Sequence, residues 1–555
     1  MNVLFVYSDI SGAEHYGARK YYSGIGSLSA VLKEAGHRTA LLYLQRALSE
    51  EEFLAEVDAA EPGLVAFSAT THQYPAVERY ARALQAARPG LPRLVGGTHA
   101  TLAPEEVAAS GAFHAVCVGE GEYALRELCA RLEEAGQRPA PLEGRVGDLR
   151  PLEERVRDPR PWVDPLEWGE IQNLWLCHEG QVQRNALRPL IGDLDELPYV
   201  DREIFDFDAI LAANDGWVDI MAGRGCPYNC SYCCNPGLKQ RYAGLGRYVR
   251  WRSVAHVLGE LGELRARYPI KTINFQDDTF TLDIDWTLEF CRAYGAEFEL
   301  PFWVNTRAER LLDERVVGAL AEAGCVGVRI GVENGDEALR RSVLKRTMSN
   351  DELIRAFDLA RRYGLKTYTC NMIGVPGETP ETIQATIALN RRLAPDQFQF
   401  SVFYPYPMTE LFDTCTSQGL LKAQDAGARV SDPLSNSLTA GEDDGRGGSE
   451  TRAPKSGDGG SRGGSETRAP EGVALTDYYG KESVLRLPTL SEAELAQGYE
   501  RFEALRAELA LKRASPKKYA LYRLLLAMYA DDGPRLQRHL DALRRSLRRR
   551  RRHQD

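Results

Sequence analysis

From Met1 to about residue 145, short apolar runs alternate with segments whose apolar residues recur at helical spacing. Val3–Tyr7, Thr39–Leu44, Leu64–Ser68, Leu94–Val95 and Ala115–Val118 read as strands, and Leu28–Ala35, Glu50–Ala59 and Ala76–Ala87 as helices. Such alternation predicts a parallel sheet covered on both faces. Ligands of these sheets lie at the carboxyl ends of the strands. Small and polar residues cluster at those ends, in Ser68-Ala69-Thr70, in Gly96-Gly97-Thr98-His99-Ala100-Thr101 and in Gly119-Glu120-Gly121-Glu122.

A second alternating block begins near residue 211 and runs to 424. Its strand-like runs are Val218–Met221, Thr272–Phe275, Phe302–Asn305, Val326–Ile330, Thr367–Met372 and Phe398–Phe403. Val254–Tyr268, Asp283–Ala296, Glu314–Ala323, Asp351–Tyr363 and Pro380–Leu393 separate them as helices. Six βα units predict a partial (β/α)6 barrel, with its chemistry at the C-terminal strand ends.

Between the blocks, residues 146–210 form a connector rich in Pro, Asp and Arg that holds Trp162, Trp168 and Trp175, expected to pack between domains. Residues 425–475 turn to Gly, Ser, Asp and Pro, and the nonapeptide Arg446–Pro454 recurs unchanged at Arg462–Pro470. With almost no apolar side chains to bury, that stretch reads as a disordered linker. From 476 to 555 helical periodicity returns, with a capping-box-like start at Ser491-Glu492-Ala493-Glu494. A basic run, Arg544 to Arg552, ends this helical segment. It reads either as a solvated tail or as a contact for an anionic partner.

Composition narrows the class. The chain has 555 residues, enough for about three or four domains of ~150 residues. Its 79 acidic against 69 basic residues give no general nucleic-acid footprint. Eleven irregularly spaced cysteines do not make a disulfide framework and point to a reducing, cytoplasmic setting. The N-terminus reads as a first strand, not a signal peptide, and no apolar run approaches the ~20 residues of a membrane span.

One stretch concentrates the chemistry: Gly223-Arg224-Gly225-Cys226-Pro227-Tyr228-Asn229-Cys230-Ser231-Tyr232-Cys233, a CxxxCxxC spacing just after an apolar run. A [4Fe-4S] cluster takes one thiolate per iron, so three from one loop leave an iron open for a reactive ligand. The competing reading is a zinc knuckle, but zinc usually takes four ligands in CxxC pairs and there is no second pair. Cys234 follows directly and reads as pointing into the barrel wall.

CxxxCxxC with Tyr232 before the third cysteine resembles the radical SAM superfamily signature. The N-terminal pieces Gly24-Ile25-Gly26-Ser27-Leu28, Val95-Gly96-Gly97-Thr98-His99-Ala100-Thr101 and Val118-Gly119-Glu120-Gly121-Glu122 resemble the cobalamin-binding domain that precedes many such cores. The resemblance implies a flavodoxin/Rossmann-like cobalamin-binding domain at 1–145, a partial (β/α)6 radical SAM barrel at 211–424, and a helical extension over the barrel mouth. It implies three cofactors: a [4Fe-4S] cluster on Cys226, Cys230 and Cys233, S-adenosyl-L-methionine (SAM), and cobalamin. By the same resemblance Tyr232, Asp277, Arg307 and Glu333 are candidates for SAM, and Gly96, Gly97, His99 and Gly119 for cobalamin. None of the nine histidines sits in a DxHxxG pattern, so a motif histidine is not the expected lower ligand of cobalt.

Alternatives stand beside these roles. Arg307 suits a carboxylate, with an ion pair to a neighbouring acid as the alternative. Asp278 and Glu378 also read as helix-capping carboxylates, His99 as a loop histidine, and Tyr404 and Tyr406 as packing aromatics. Where the family usually has Pro-Gly-Thr, this chain has Pro407-Met408-Thr409, which bears on the geometry of that loop. The implied activity is methylation of an unactivated carbon or phosphorus through a 5′-deoxyadenosyl radical and methylcobalamin. Ring formation or oxidation within the same family and a cobalamin-binding sensor are the alternatives. A small-molecule substrate and a reducing donor such as flavodoxin or ferredoxin are the implied partners.

Overall fold

All five strands expected at the N-terminus form. They are β1 (Asn2–Ser8), β2 (Arg38–Leu44), β3 (Leu64–Ser68), β4 (Arg93–Gly96) and β5 (Ala115–Cys117), in spatial order β2-β1-β3-β4-β5 and parallel throughout. The structure, a computed structural model, describes residues 1–10, 20–137, 164–422 and 483–528. Trp162, the duplicated linker nonapeptide, Tyr478, Tyr479 and the terminal arginine run lie outside the described residues. The chain divides into two compact units, Met1–Asp277 with Tyr404–Arg486, and Asp278–Phe403 with Leu487–Asp555. The division falls inside the segment read as the barrel.

In the first unit, alternation along each strand sorts the sheet's two faces. Leu4, Val6, Val65 and Phe67 share a buried cluster with Phe53, Val57, Val77 and Leu84 of the helices Glu50–Ala60 and Tyr74–Ala87. Each such side chain contributes about 1.5–3 kcal/mol by leaving water. Phe5, Ala66 and Leu94, one residue out of phase, line a cavity instead. The first helix, Glu50–Ala60, starts on a complete capping box of Ser49 and Glu52.

Part of the expected connector belongs to this sheet. β6 (Leu174–His178) pairs antiparallel with β5, and β7 (Gln181–Arg184) with β6, extending the sheet to seven strands. Trp168 is buried edge-on to His114, and Trp175 lies under the Arg184 guanidinium and against the core cluster. Both described tryptophans therefore pack within the N-terminal unit.

The same unit holds β8 (Trp217–Ile220), the two-residue strands β9 (Gly223–Arg224) and β10 (Arg250–Trp251), and β11 (Thr272–Phe275). β8 and β11 are parallel, with Val218 opposite Ile273, and β9 and β10 antiparallel, with Arg224 opposite Arg250. These match the first two expected core strands, whereas the β9–β10 ribbon has no signature in the hydrophobic pattern.

The second unit carries the other four core strands, β12 (Phe302–Thr306), β13 (Cys325–Glu333), β14 (Lys366–Ile373) and β15 (Gln397–Val402), all parallel. Serine and threonine caps start three of its long helices, Ser349 with Glu352, Thr379 with Thr382, and Ser491 with Glu494. The helix Glu492–Ala514, expected to cover a barrel mouth, buries Leu495, Phe502, Leu505 and Leu509 against Ile383, Ile387, Phe398 and Phe400. It thus packs on the sheet face that the helix Pro380–Leu393 also covers.

Candidate functional site

The cysteine run leaves β9 at Gly225, whose φ of +87° and closeness to the Tyr248 carbonyl suit only glycine; a Cβ there would lie 2.5 Å from that oxygen. The loop then turns through Cys226, Cys230 and Cys233 into the helix Asn235–Arg241. Cys230 is buried, and Cys226, Tyr232, Cys233 and Cys234 are half-buried. Cys234, expected inside a wall, occupies the cap position of that helix.

Neighbours tether the loop along its length. The Cys233 N–H donates to the Cys230 carbonyl at 3.1 Å, and Asn235 Nδ2 approaches Cys233 Sγ at 3.4 Å. Lys239 Nζ donates to the Pro227 carbonyl at 2.9 Å and to Asn229 Oδ1 at 2.6 Å. The Leu411 N–H, opening the helix Glu410–Ser417, donates to the Ser231 carbonyl at 3.0 Å. Met408, at the departure from Pro-Gly-Thr, adopts a φ of +63° and so holds the left-handed conformation a glycine takes freely.

The donor chemistry fits a thiolate-bound cluster. None of the eleven cysteines is in a disulfide. Burial pushes the thiols of Cys117, Cys129, Cys291, Cys370 and Cys415 up to about 12 and that of Cys177 to about 11, and it also raises Cys325. Those seven stay protonated, and it is the thiolate that binds metal. The three cysteines of the CxxxCxxC spacing are among the remaining four. Among the described residues no three His, Cys, Asp or Glu side chains close on a single metal-ion position. A cluster that offers a separate iron to each thiolate needs no such convergence.

A cavity of about 500 Å³ adjoins this loop, within the usual range for small-molecule sites. Gly96, Gly97 and Gly119 line it, as do Gly223, Arg224 and Gly225 at the mouth of the cysteine loop. Gly97 (φ +90°) and Gly119 (φ +93°) make the cradle. A Cβ on Gly97 would sit 2.8–3.0 Å from Ala69 and the Ser68 hydroxyl, and one on Gly119 would fall on the Tyr242 hydroxyl. At both positions only bare backbone fits, because the chain's own atoms occupy the space a side chain would need.

His99, expected as a candidate cobalamin contact, is not among the residues that line this cavity. It is 2 % exposed, tilted against Tyr74 at 4.3 Å between ring centres, with Nδ1 3.4 Å from Thr71 Oγ1. Burial, aided by the nearby His72, lowers its pKa to about 4. It is a neutral packing histidine behind the loop it belongs to.

Four charged residues in the cavity wall form one network. Arg224 donates from Nη1 to Glu120 Oε1 at 2.8 Å and from Nη2 to Glu122 Oε1 at 2.7 Å. Arg250 donates to Glu120 Oε2 at 3.1 Å, with its Nη2 2.9 Å from Oε1. Ser27 Oγ donates to Glu122 at 3.0 Å, and the Ile191 N–H to Glu120 at 2.9 Å. Burial alone would raise the Glu120 carboxyl, yet the two guanidiniums outweigh it and hold it below the usual range. The two carboxylates likewise overcome burial at Arg224 and raise its pKa. Arg224, Arg250 and Tyr242 were not among the expected site residues. Arg224, set between Gly223 and Gly225 before the first cysteine, carried the one sequence cue.

Of the candidates for SAM, Asp277 lies beyond the end of β11, and its carboxylate accepts the backbone N–H groups of Ala222 and Gly223. The other two belong to the second unit. Arg307 donates from Nη2 to Glu309 Oε1 at 2.7 Å, the neighbouring-acid pair that the sequence left open. Glu333 closes β13 with a φ of +66°, where the register against β14 shifts, and its Oε1 is 3.8 Å from Arg346 Nη1. A left-handed glutamate at a strand end stores about 1–3 kcal/mol of strain, which clusters at functional positions. Glu378 is fully buried, accepts Asn334 Nδ2 at 2.6 Å and the Gly374 N–H, and is pushed up to about 7 by burial, consistent with a structural tie between two strand-end loops.

Comparison with known proteins agrees with this arrangement. Residues 220–389 match the Radical SAM superfamily and residues 17–129 the B12 binding domain. An uncharacterized methyltransferase of Pyrococcus horikoshii is 27% identical over 399 residues, 72% of this chain and 79% of that protein. The anaerobic magnesium-protoporphyrin IX monomethyl ester cyclase of Rubrivivax gelatinosus is 23% identical over 423 residues, 74% of this chain and 69% of that protein. The radical S-adenosylmethionine methyltransferase TsrM from Kitasatospora setae, solved with cobalamin and a [4Fe-4S] cluster bound, shares the fold at a TM-score of 0.58. That match is 19% identical and covers 77% of this chain and 81% of TsrM.

Proposed function

Since the chain belongs to the radical SAM enzymes that carry an N-terminal B12-binding domain, with a [4Fe-4S] cluster, SAM and cobalamin as cofactors, we propose that it methylates an unactivated carbon or phosphorus centre of a small molecule. The observation that carries this reading lies within the first unit. The cysteine loop and the glycine-lined cavity share a wall at Gly223-Arg224-Gly225. When bound, the cluster and SAM supply one-electron cleavage to a 5′-deoxyadenosyl radical, and cobalamin supplies a methyl carrier.

The chain's own residues bind and orient. Cys226, Cys230 and Cys233 would hold the cluster, and Tyr232 lies between the second and third of these cysteines in sequence. Asp277 fixes the backbone from which the loop departs. Arg307 suits the SAM carboxylate, since a guanidinium gives paired charge-assisted bonds, and Glu333 suits its ammonium. Gly96, Gly97 and Gly119 let backbone approach the corrin. A small reduced flavodoxin or ferredoxin suits the electron supply.

The test is anaerobic reconstitution of cluster and cobalamin, followed by SAM and a strong reductant, with S-adenosylhomocysteine and 5′-deoxyadenosine both quantified. Both products are expected. Deoxyadenosine without S-adenosylhomocysteine overturns methylation in favour of a ring-forming or oxidative reaction, the class to which the similar cyclase belongs. Cys230→Ala should abolish SAM cleavage, and retained deoxyadenosine would refute the cluster assignment.

A further inference from the structure

The loop Gly119–Glu122 touches the cavity on one side and both flanks of the cysteine loop on the other. On the entry flank, Arg224 stands two residues before Cys226 and is clamped by Glu120 and Glu122. Its strand partner Arg250 shares Glu120 and also donates to the Ile191 carbonyl at 2.8 Å. On the exit flank, Tyr242 ends the helix that follows Cys233, and its hydroxyl accepts the Glu120 N–H at 3.3 Å. Arg241 donates to the Thr101 carbonyl at 2.5 Å, while Thr101 Oγ1 accepts the Gly119 N–H at 3.0 Å.

These bonds have a directional consequence. Glu120, Glu122, Arg224, Arg250 and Tyr242 all line the cavity, so an occupant that orders Gly119–Glu122 also orders the segments on which the three cysteines hang. Breaking one member leaves its buried partner uncompensated. The network therefore resists partial arrangements, and the two sites are held together or loosened together.

Resting on the proposed identity of the two sites, we propose that the Glu120–Arg224–Glu122 clamp makes occupancy of the cavity by a corrin and assembly of the cluster on the cysteine loop thermodynamically cooperative. Arg224 is a positioning residue in this scheme, acting through the backbone of β9. Because linkage is reciprocal, each ligand raises the affinity for the other by the same factor.

The experiment uses the full chain, free of cluster and after anaerobic reconstitution of it, titrated with hydroxocobalamin by absorbance. Cluster loading should tighten corrin binding by about tenfold, within the usual ~5–150-fold range of such couplings. In Arg224→Lys, which keeps the charge but not the two-pronged geometry, and in Glu122→Gln, which keeps the shape, that factor should fall toward one, whatever happens to the affinity of the cluster-free form. A merely structural role would lower both affinities alike and leave their ratio intact. An undiminished ratio in both variants, or no difference between the two forms of the unaltered chain, overturns the proposal. Failure of the unaltered chain to bind hydroxocobalamin in either form instead overturns the cobalamin reading beneath it. Far-UV circular dichroism identifies a misfolded variant, in which case the other variant decides.

Discussion

Asp277 Oδ1 accepts the Gly223 backbone N–H at 2.6 Å, and both carboxylate oxygens lie 3.1 Å from the Ala222 N–H, in a site where Asp277 is 2 % exposed. An acid expected among the SAM contacts thus grips the backbone three residues before Cys226. Charge-assisted bonds of this kind are each worth about 1.5–3 kcal/mol. Asp277→Ala should lower stability by a few times ~1 kcal/mol and reduce iron and sulfide retained per chain after reconstitution. Asp277→Asn, which turns one acceptor into a donor, should fall between. Unchanged iron content in Asp277→Ala would show that the loop holds its geometry without this anchor.

The cradle glycines make a second prediction. Gly97→Ala places a Cβ against the Ala69 backbone at a φ of +90°, so neither strain nor collision can be relieved by a side-chain rotation. Hydroxocobalamin binding should weaken at least ~10-fold, a loss of roughly 1.4 kcal/mol. In Gly119→Ala the collision is with the Tyr242 hydroxyl, so adding Tyr242→Phe should recover part of the loss. Equal binding by Gly119→Ala and the double variant would contradict that geometry.

Gly237 faces Met408 so closely that a Cβ on it would lie 2.5 Å from the Met408 carbonyl oxygen. Gly237→Ala should destabilise the chain by about 1–3 kcal/mol, as overpacking does. Because the nearest obstructing atom belongs to the backbone, truncating the Met408 side chain, whose Cγ would lie 2.8 Å from that Cβ, should rescue it only in part. Full recovery of the thermal midpoint in Gly237→Ala/Met408→Ala would refute this account.

The buried His99 sets a pH dependence. Its pKa falls from 6.5 to about 4 on folding, so the unfolded chain binds its proton first as the medium is acidified. Stability from this group is fully present above pH ~6.5 and is lost as pH falls toward 4, by roughly 3 kcal/mol in all. His114, lowered to about 3 by burial and by Arg93, adds to the same acid limb. His99→Phe keeps a ring against Tyr74 and should flatten the decline in thermal midpoint between pH 6.5 and 4 without abolishing it. An unaltered slope would show that His99 is not the neutral group described.

Much was legible without coordinates, because it depends on local order. Short apolar runs such as Val3–Tyr7 and Leu64–Ser68, and helical spacing in Glu50–Ala59, located strands and helices to within a few residues. Ser491 and Glu494 announced a capping box through spacing alone. CxxxCxxC marked a candidate cluster loop through spacing alone, and Gly96, Gly97 and Gly119, singled out at strand ends, line the cavity.

What tertiary structure decided was the use of each polar side chain, which depends on neighbours distant in sequence. No pattern shows that Asp277 would bond Gly223, or that Glu120 would meet Arg224 and Arg250, more than a hundred residues away. His99 had the right neighbours for a cofactor contact, yet Tyr74 and Thr71 enclose it behind the wall. β9 and β10, two residues each, are too short for periodicity to register, and pairing alone makes them strands. Periodicity reports which side of an element is buried; only the packed fold determines which buried charge answers which.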